Sequence, residues 1–349
     1  LKIQFSSYTP IQESLRRAED SLSYWFEEGK RILRLDNCPL KKLAGEVARL
    51  STLLISGKRG NYMEDEGLLK AYFSFFFPQG FYRTFFVLDE ILRLTDYSPA
   101  EGLKLNDFGS GPGASLLAAY EVFKRWNPGL LGMERSTKAI RLLKELAEKR
   151  IDNIRIRKGD FTKYRDSGNI AIFSSAISEI GRNSRFIRSV MDSHEILVII
   201  EPGWRQGYEL VMEISRILGM EPLLPCLGAT CSLKGKDWCH AALPFSFPEL
   251  TLRVNSLLRH KLRYLKFTYG VFSSKIKLKK SGARIISPLL KEKGKESFLV
   301  CERGRVVRIE RLKNQACGDF DYVSCCDLIS YEGEKKGNAI RLKELKIIR

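Results

Sequence analysis

Two groups of residues in this chain have the types and spacing to do chemistry. The first is a set of four cysteines: Cys226, Cys231 and Cys239 fall in one short loop, and Cys301 comes from a distant stretch. Thiolates are soft ligands that suit zinc or iron–sulfur groups, and a ligand contributed by a separate strand is compatible with such a site. Gly228 and Gly235 allow the bends that would let the three loop cysteines converge. The loop lacks the paired Cys-x-x-Cys knuckles of structural zinc. His240, next to Cys239, is a candidate substitute ligand; with only His194, His240 and His260 in the chain, a histidine-rich catalytic metal centre is not expected. Any metal is therefore expected to be held by cysteine and to be structural.

The second group is the turn Asp107-Phe108-Gly109-Ser110-Gly111-Pro112-Gly113. A strand, a glycine turn and a helix in that order let backbone N–H groups approach a polar ligand without interference from Cβ atoms. The spacing is Gly-x-Gly-x-Gly, not the dinucleotide pattern Gly-x-Gly-x-x-Gly, and an acid precedes the first glycine, which points to S-adenosylmethionine (SAM) instead of NAD. Glu134, at the end of the next strand, is expected to accept from ribose hydroxyls. Asp160 and Phe161, after the third strand, are expected to hold the adenine. The expected cofactor residues are thus Asp107, Gly109, Gly111, Gly113, Glu134, Asp160 and Phe161.

No catalytic residue is assigned. The segment Phe173-Ser174-Ser175-Ala176-Ile177-Ser178-Glu179-Ile180 has neither the Asn/Asp-Pro-Pro-aromatic motif that orients an exocyclic amine nor a Pro-Cys nucleophile. Glu179 is a candidate general base, and equally a helix cap.

These groups need elements to position them. Leu15, Ala18, Leu22, Trp25 and Phe26 recur at helical intervals, as do Leu40, Leu43, Val47 and Leu50, so residues 1–98 read as a helical N-terminal region. Its aromatic run, Tyr72 to Phe86, is either a platform for bases or packing between helices, and packing is the stronger reading. From Leu103 to about Leu218 short apolar strands alternate with amphipathic helices, the pattern of a parallel α/β sheet. The strands are Lys104 to Phe108, Gly129 to Glu134, Ile154 to Lys158, Ile170 to Ser174 and Ile196 to Glu201. Residues 99–220 therefore read as a SAM methyltransferase-like (Rossmann-like) domain. Residues 221–349 read as a β-rich domain that carries the cysteines, with strands at Lys275–Lys279 and Arg305–Ile309. Cys317, Cys325 and Cys326 are expected to be buried or incidental, and Cys38 stands isolated in the helical region.

The formal charge of +18, from 59 Lys and Arg against 41 Asp and Glu, sets up a field that attracts phosphate polymers, and RNA is the expected partner. Arg253, Arg259, His260, Lys261, Arg263 and Lys266, interleaved with Tyr264, Phe267 and Tyr269, suit phosphate contacts and base stacking. A second basic run extends from Lys275 to Lys295 and includes Arg284. No apolar stretch approaches the length of a membrane span. Leu1 to Pro10 lacks the features of a secretory signal, so a reducing compartment is expected. The bacterial cytoplasm is the first choice and the mitochondrial matrix the second. A monomer is expected.

Taken together, these residues resemble the ribosomal small-subunit methyltransferase-like family, which includes the mitochondrial assembly factor methyltransferase-like seventeen and its bacterial relatives. The resemblance rests on Ala71-Tyr72 through Pro78, the glycine turn, Ser178-Glu179, Glu201-Pro202-Gly203 with Gly207, Asp237-Trp238-Cys239-His240, and Arg284-Ile285-Ile286-Ser287-Pro288 leading to Leu299-Val300-Cys301. It implies a SAM-type domain joined to a β-rich extension, a [4Fe–4S] cluster on Cys226, Cys231, Cys239 and Cys301, and binding to small-subunit rRNA during ribosome assembly. Leu227 and Gly228 depart from the Pro and His that usually follow the first cysteine in that family. An active rRNA or tRNA methyltransferase, and a zinc-stabilised RNA-binding module with a vestigial SAM domain, stand as the alternatives.

Overall fold

The computed structural model describes residues 9–56, 60–179, 183–233 and 237–349, with only the backbone of Glu179. The N-terminal region is helical because its caps and its apolar stripe agree. Thr9 and Gln12 each accept the other's backbone N–H, and Pro10 supplies a helical φ, so α1 (Pro10–Ile32) starts sharply. Ala18, Leu22, Trp25 and Phe26 bury its inner face, and at Gly29 an added Cβ would stand 2.0 Å from Phe73 Cζ. After α2 (Leu40–Ser56) and α3 (Glu66–Ala71), a π-helical turn at Tyr72–Phe76 leads into α4 (Phe77–Leu94). Phe73, Phe75, Phe77, Phe81, Tyr82, Phe85 and Phe86 are all buried, so the aromatic run is packing and not a base platform. Tyr72 and Phe76 stay half-buried on the side that faces the cleft described below.

The central sheet is built from β1 (Lys104–Phe108), α5 (Ala114–Phe123), β2 (Gly129–Glu134), α6 (Thr137–Ala147), β3 (Ile154–Lys158), β4 (Gly168–Ser174), α7 (Ser184–Ser193), β5 (His194–Pro202) and α8 (Arg205–Leu218), followed by β6 (Ala241–Leu243), α9 (Glu249–Leu257) and β7 (Leu265–Phe272). Ile170–Phe173 and Ile196–Ile200 are unbroken buried apolar runs, as strands covered on both faces must be. The order is β3-β2-β1-β4-β5-β7-β6, with β1 to β5 parallel and β7 antiparallel to both neighbours. This is the seven-stranded sheet typical of SAM methyltransferases. The strand order reverses between β1 and β4, which opens a crevice at their carboxyl ends.

Two features of the β-rich region differ from the sequence reading. A border drawn at 220 cuts through the sheet, because β7 covers the edge that β5 would otherwise leave open. Lys275–Lys279 is not a strand: Lys277 and Lys279 pair with Asp96 and Leu94 at the end of α4, which offers too few free backbone groups to extend a ladder.

The remaining strands are β8 (Ala283–Ile285), β9 (Leu290–Glu292), β10 (Lys295–Glu302), β11 (Arg305–Leu312), β12 (Leu328–Lys336) and β13 (Ala339–Ile347). Pairings run from β8 to β10, β11, β13, β12 and back to β8, with β11 and β13 parallel. The ring is a five-stranded barrel with the connectivity of an OB-fold. Ile285, Phe298, Val300, Ile309, Ile329 and Leu345 fill its interior. Among the described residues no helix is long and apolar enough to cross a membrane.

Candidate functional site

At the end of β1 the chain turns through Gly109, Gly111 and Gly113 with φ of +82°, +53° and +95°, a region costly to any residue with a side chain. Space is restricted too: a Cβ on Gly113 would lie 2.3 Å from Leu143 Cδ1. Gly109 and Ser110 donate to Met133 O at 2.9 and 3.0 Å, which binds the turn to β2. Glu134 completes it, its Oε2 accepting from Gly111 N at 2.9 Å and its Oε1 from the N–H groups of Arg135 and Ser136 at 2.8 Å. Each carboxylate oxygen can take further donors, so a ligand hydroxyl can still be received.

Asp107 lies under this turn, 1% exposed, and neither of its carboxylate oxygens has a hydrogen-bond partner. Burial, aided by the nearby Glu134 charge, pushes its pKa up to about 8. The carboxyl is therefore largely protonated at neutrality, and a cation arriving beside it would reverse that.

The turn forms the floor of a cleft of about 1700 Å³. Gly109, Glu134, Asp160 and Phe161 line it, while Asp107, Gly111 and Gly113 shape the turn from behind. Asp160 Oδ1 is already engaged by the N–H and hydroxyl of Thr162, which hold its carboxyl below the usual range. Phe161 meets Phe108, Phe173 and Phe186 at 6.0–6.2 Å, so most of its ring belongs to the core and only part faces the cleft. The side chain of Glu179 lies outside the described residues.

The opposite wall comes from the helical region, where the sequence reading named Tyr72 but not Gln79 or Arg83. Tyr72, Gln79 and Arg83 all line the cleft. Arg83 Nη2 donates to Gln79 Oε1 at 3.1 Å, and its Nε is buried without a partner. Burial lowers its pKa to about 10 against the opposing pull of Tyr72 and Glu201. Tyr72 feels the charges of Glu134, Asp107 and Arg83. A signal existed: Arg83 is the only charged residue between Phe77 and Leu88.

The cysteines form a second site between the sheet and the barrel. The loop after α8 is tied to β7 by hydrogen bonds between Leu223, Leu224 and Val271, and to the β10–β11 turn by Ser232 N to Gly304 O at 2.9 Å. Cys226, Cys231, Cys239 and Cys301 are free thiols, each half-buried, and all four line one small cavity. Burial and the neighbouring sulfurs raise Cys226 and push Cys239 up to about 12; Cys301 is raised mainly by burial. Tyr208 donates to Cys231 Sγ at 3.5 Å. His240 and Cys326 also line the cavity, and His240 Nδ1 is buried without a partner. Among the described residues no group of three or more His, Cys, Asp or Glu side chains forms a ready-made site for a single ion.

Arg284, read in the sequence as part of a basic surface, is instead buried at this site. It is the β8 partner of Cys301 in the β10 ladder. Its Nη1 donates to Glu90 Oε1 at 2.6 Å and Cys326 O at 3.1 Å, its Nε donates to Pro225 O at 3.1 Å, and its Nη2 has no partner. Only the Glu90 carboxylate on α4 makes such burial affordable, and nothing in the local pattern announces that pairing. Cys325 lies 3.8 Å from Cys326, sulfur to sulfur, while Cys317 sits in the barrel core and Cys38 beside α1.

A sequence model described as mitochondrial small ribosomal subunit Rsm22 matches residues 68–318, well over half of the chain, including the glycine turn and all four cavity cysteines. No curated protein sequence matches significantly. Among solved structures, the chain is similar to a Pyrococcus horikoshii protein assigned as an RNA methyltransferase, at 13% identity and a TM-score of 0.34, over 60% of this chain and 83% of that one. SAM-dependent methyltransferases from Geobacter sulfurreducens and Thiobacillus denitrificans, both in complex with S-adenosyl-L-homocysteine, match at 24% and 23% identity with TM-scores of 0.29. They align with 36% and 35% of this chain, which spans about half of each, 49%.

Proposed function

The chain belongs to the mitochondrial small ribosomal subunit Rsm22 family, and from that premise we propose that it is an rRNA-binding assembly factor of the small ribosomal subunit that binds SAM and carries a [4Fe–4S] cluster. Its place of work is the compartment where that subunit is built, a mitochondrial matrix or a bacterial cytoplasm. The observation that carries the reading is the cleft itself. One end presents a glycine turn over an unpartnered acid with an unpartnered guanidinium nitrogen nearby, and the volume exceeds the roughly 300–1,000 Å³ of ordinary ligand pockets.

The residues present fit SAM. Its methionine end carries a carboxylate, which would satisfy Arg83, and an ammonium group, whose charge would favour the ionised form of Asp107 beneath the glycine turn, and Glu134 has lone pairs to spare for ribose hydroxyls. They also fit a thiolate-bound cluster: four free thiols ring a cavity, and a buried guanidinium with an open N–H stands beside it. Zinc would draw the same sulfurs to about 3.8 Å from one another, given Zn–S bonds of about 2.3 Å. When bound, the cluster supplies a covalent tie between thiolates. Cys226, Cys231 and Cys239 would hold it from the loop and Cys301 from the barrel, so the tie would join the two bodies. The OB-like barrel and the net charge of +18 support an RNA partner.

The test is anaerobic purification followed by iron, sulfide and zinc analysis, SAM calorimetry, and co-sedimentation with small-subunit particles. Zinc without sulfide refutes the cluster, absent SAM binding refutes the cofactor, and failure to sediment with the particles refutes the assembly role. Methyl transfer is a second reading, favoured by a cleft with room for an acceptor beside the cofactor. Labelled SAM with the same particles decides it, since no incorporation while the cluster is intact leaves the protein a binding factor.

A further inference from the structure

Exposed rings and unopposed charge converge at the carboxyl end of the sheet. Trp204, Trp238 and Tyr264 are large apolar side chains left exposed, at 48%, 40% and 47%. Chain pairing gathers them: Gly203 N donates to Lys266 O at 3.3 Å where β5 runs beside β7, and Trp238 Nε1 donates to Gly203 O at 3.3 Å. Trp204 follows Gly203 directly, and Tyr264 begins the approach to β7. Trp204 and Tyr264 both line the mouth of the cleft, together with His260, Lys261, Arg263 and Lys266.

The cations at this mouth differ from most of those on the strands of the barrel. Lys261, Arg263 and Lys266 are exposed, and among the described residues none of them forms an ion pair. Several cations of β10, β11 and β13 on the barrel are paired instead: Arg308 with Glu292, Arg311 with Glu296 and Asp321, and Lys295 and Arg341 with Glu310, although among the described residues Arg303 and Arg305 at the β10–β11 turn are not. A phosphate chain approaching those paired cations must compete with carboxylates already in place. At the cleft mouth it meets unopposed positive charge and exposed ring faces.

We propose that Trp204, Trp238 and Tyr264, with Lys261, Arg263 and Lys266, form a docking surface for single-stranded RNA whose unpaired bases stack on the rings at the mouth of the cleft. The inference rests on the rRNA-binding reading above and adds to it the site and the strandedness of the RNA. Duplex RNA keeps its bases in its own stack, so the rings have nothing to grip. A strand laid here would also touch the loop that carries Cys239, next to Trp238.

The full-length protein, purified anaerobically, is titrated with a fluorescein-labelled unstructured oligoadenylate and with an RNA duplex of equal length, over a range of salt. Trp204→Ala and Tyr264→Ala should each weaken single-strand binding about tenfold or more, with the salt dependence unchanged and duplex binding unaffected. Trp204→Phe and Tyr264→Phe should retain most of the affinity, because a ring remains. The charge reversal Lys261→Glu with Arg263→Glu should instead flatten the salt dependence, by about 0.7 in logarithmic slope for each phosphate no longer neutralised. Aromatic variants that bind the single strand like the parent, or that weaken single strand and duplex alike, overturn the proposal while the rRNA reading stands. A parent protein that binds neither RNA overturns both.

Discussion

Replacing Asp107 with Asn should make the ligand-free protein more stable and a worse SAM binder, and both effects should depend on pH in a way the structure dictates. The Asp107 carboxyl has an ordinary value of 3.8 and is pushed to about 8 by burial, with both oxygens unpartnered. Between those two values the folded chain holds a proton that the unfolded chain has released. The stability lost to this residue is therefore absent below about pH 4, grows as pH rises, and reaches its full size near pH 8. At pH 7 the difference amounts to at most about 4 kcal/mol, at 1.36 kcal/mol per pKa unit. With an unfolding entropy of about 2.1 cal/mol/K per residue, that corresponds to a rise in thermal midpoint of about 5 °C. Asn stays neutral throughout, so the gain should be near zero at pH 4 and largest at pH 8, as read by thermal unfolding of both proteins across that range. In SAM calorimetry the parent should release a proton on binding below pH 8, because the ligand's positive charge favours the ionised acid. Its affinity should rise with pH, while the variant's should be weaker and flat. A midpoint gain independent of pH, or a variant less stable than the parent at pH 8, would refute the account of Asp107.

Gly113→Ala should cost roughly 2–4 kcal/mol, since it combines a φ of +95° with a Cβ 2.3 Å from Leu143; denaturant unfolding measures it, and a neutral result would mean the turn can relax. Arg284→Met should destabilise by about 3 kcal/mol by taking from the buried Glu90 its nearest cation, leaving it Arg93 at 3.9 Å and the Tyr269 hydroxyl, and the double variant with Glu90→Gln should recover much of that loss. If the double variant is as unstable as the single one, the loss lies in packing and not in charge. Cys301→Ser should abolish iron and sulfide retention and lower the thermal midpoint of anaerobically prepared protein, while Cys317→Ser, remote from the cavity in the barrel core, should keep its iron. Equal metal loss in both would remove Cys301 from the ligand set.

Much of the first sheet was legible in the linear chain because its signals are local. Ile170–Phe173 and Ile196–Ile200 are apolar without interruption, and only strands covered on both faces read that way. The glycine turn was legible for a similar reason: three closely spaced positive φ angles leave glycine as the residue that fits each one. Lys275–Lys279 misled because alternation marks a strand only when a neighbouring edge is free, and the end of α4 is not such an edge. The OB-like closure was invisible, since it depends on β11 finding β13 and β12 finding β8, pairings between segments far apart in the chain.

The cysteines divide the same way. Their types and the glycines between them are written in the chain, and so is the chemistry that four thiols can do. That the loop and Cys301 face one cavity was decided by the contact of residues 223–232 with β7 and the β10–β11 turn. The fate of the charges was likewise a tertiary matter. Arg284 and Lys261 look alike in a basic sequence, yet one is buried against Glu90 and the other stands exposed at the cleft mouth. Composition and local spacing determined the elements, the turn and the ligand chemistry, because backbone sterics and hydrophobic periodicity act over a few residues. Only the folded structure decided which groups lose water and which face one another, because desolvation and charge pairing depend on whatever distant segment packs alongside.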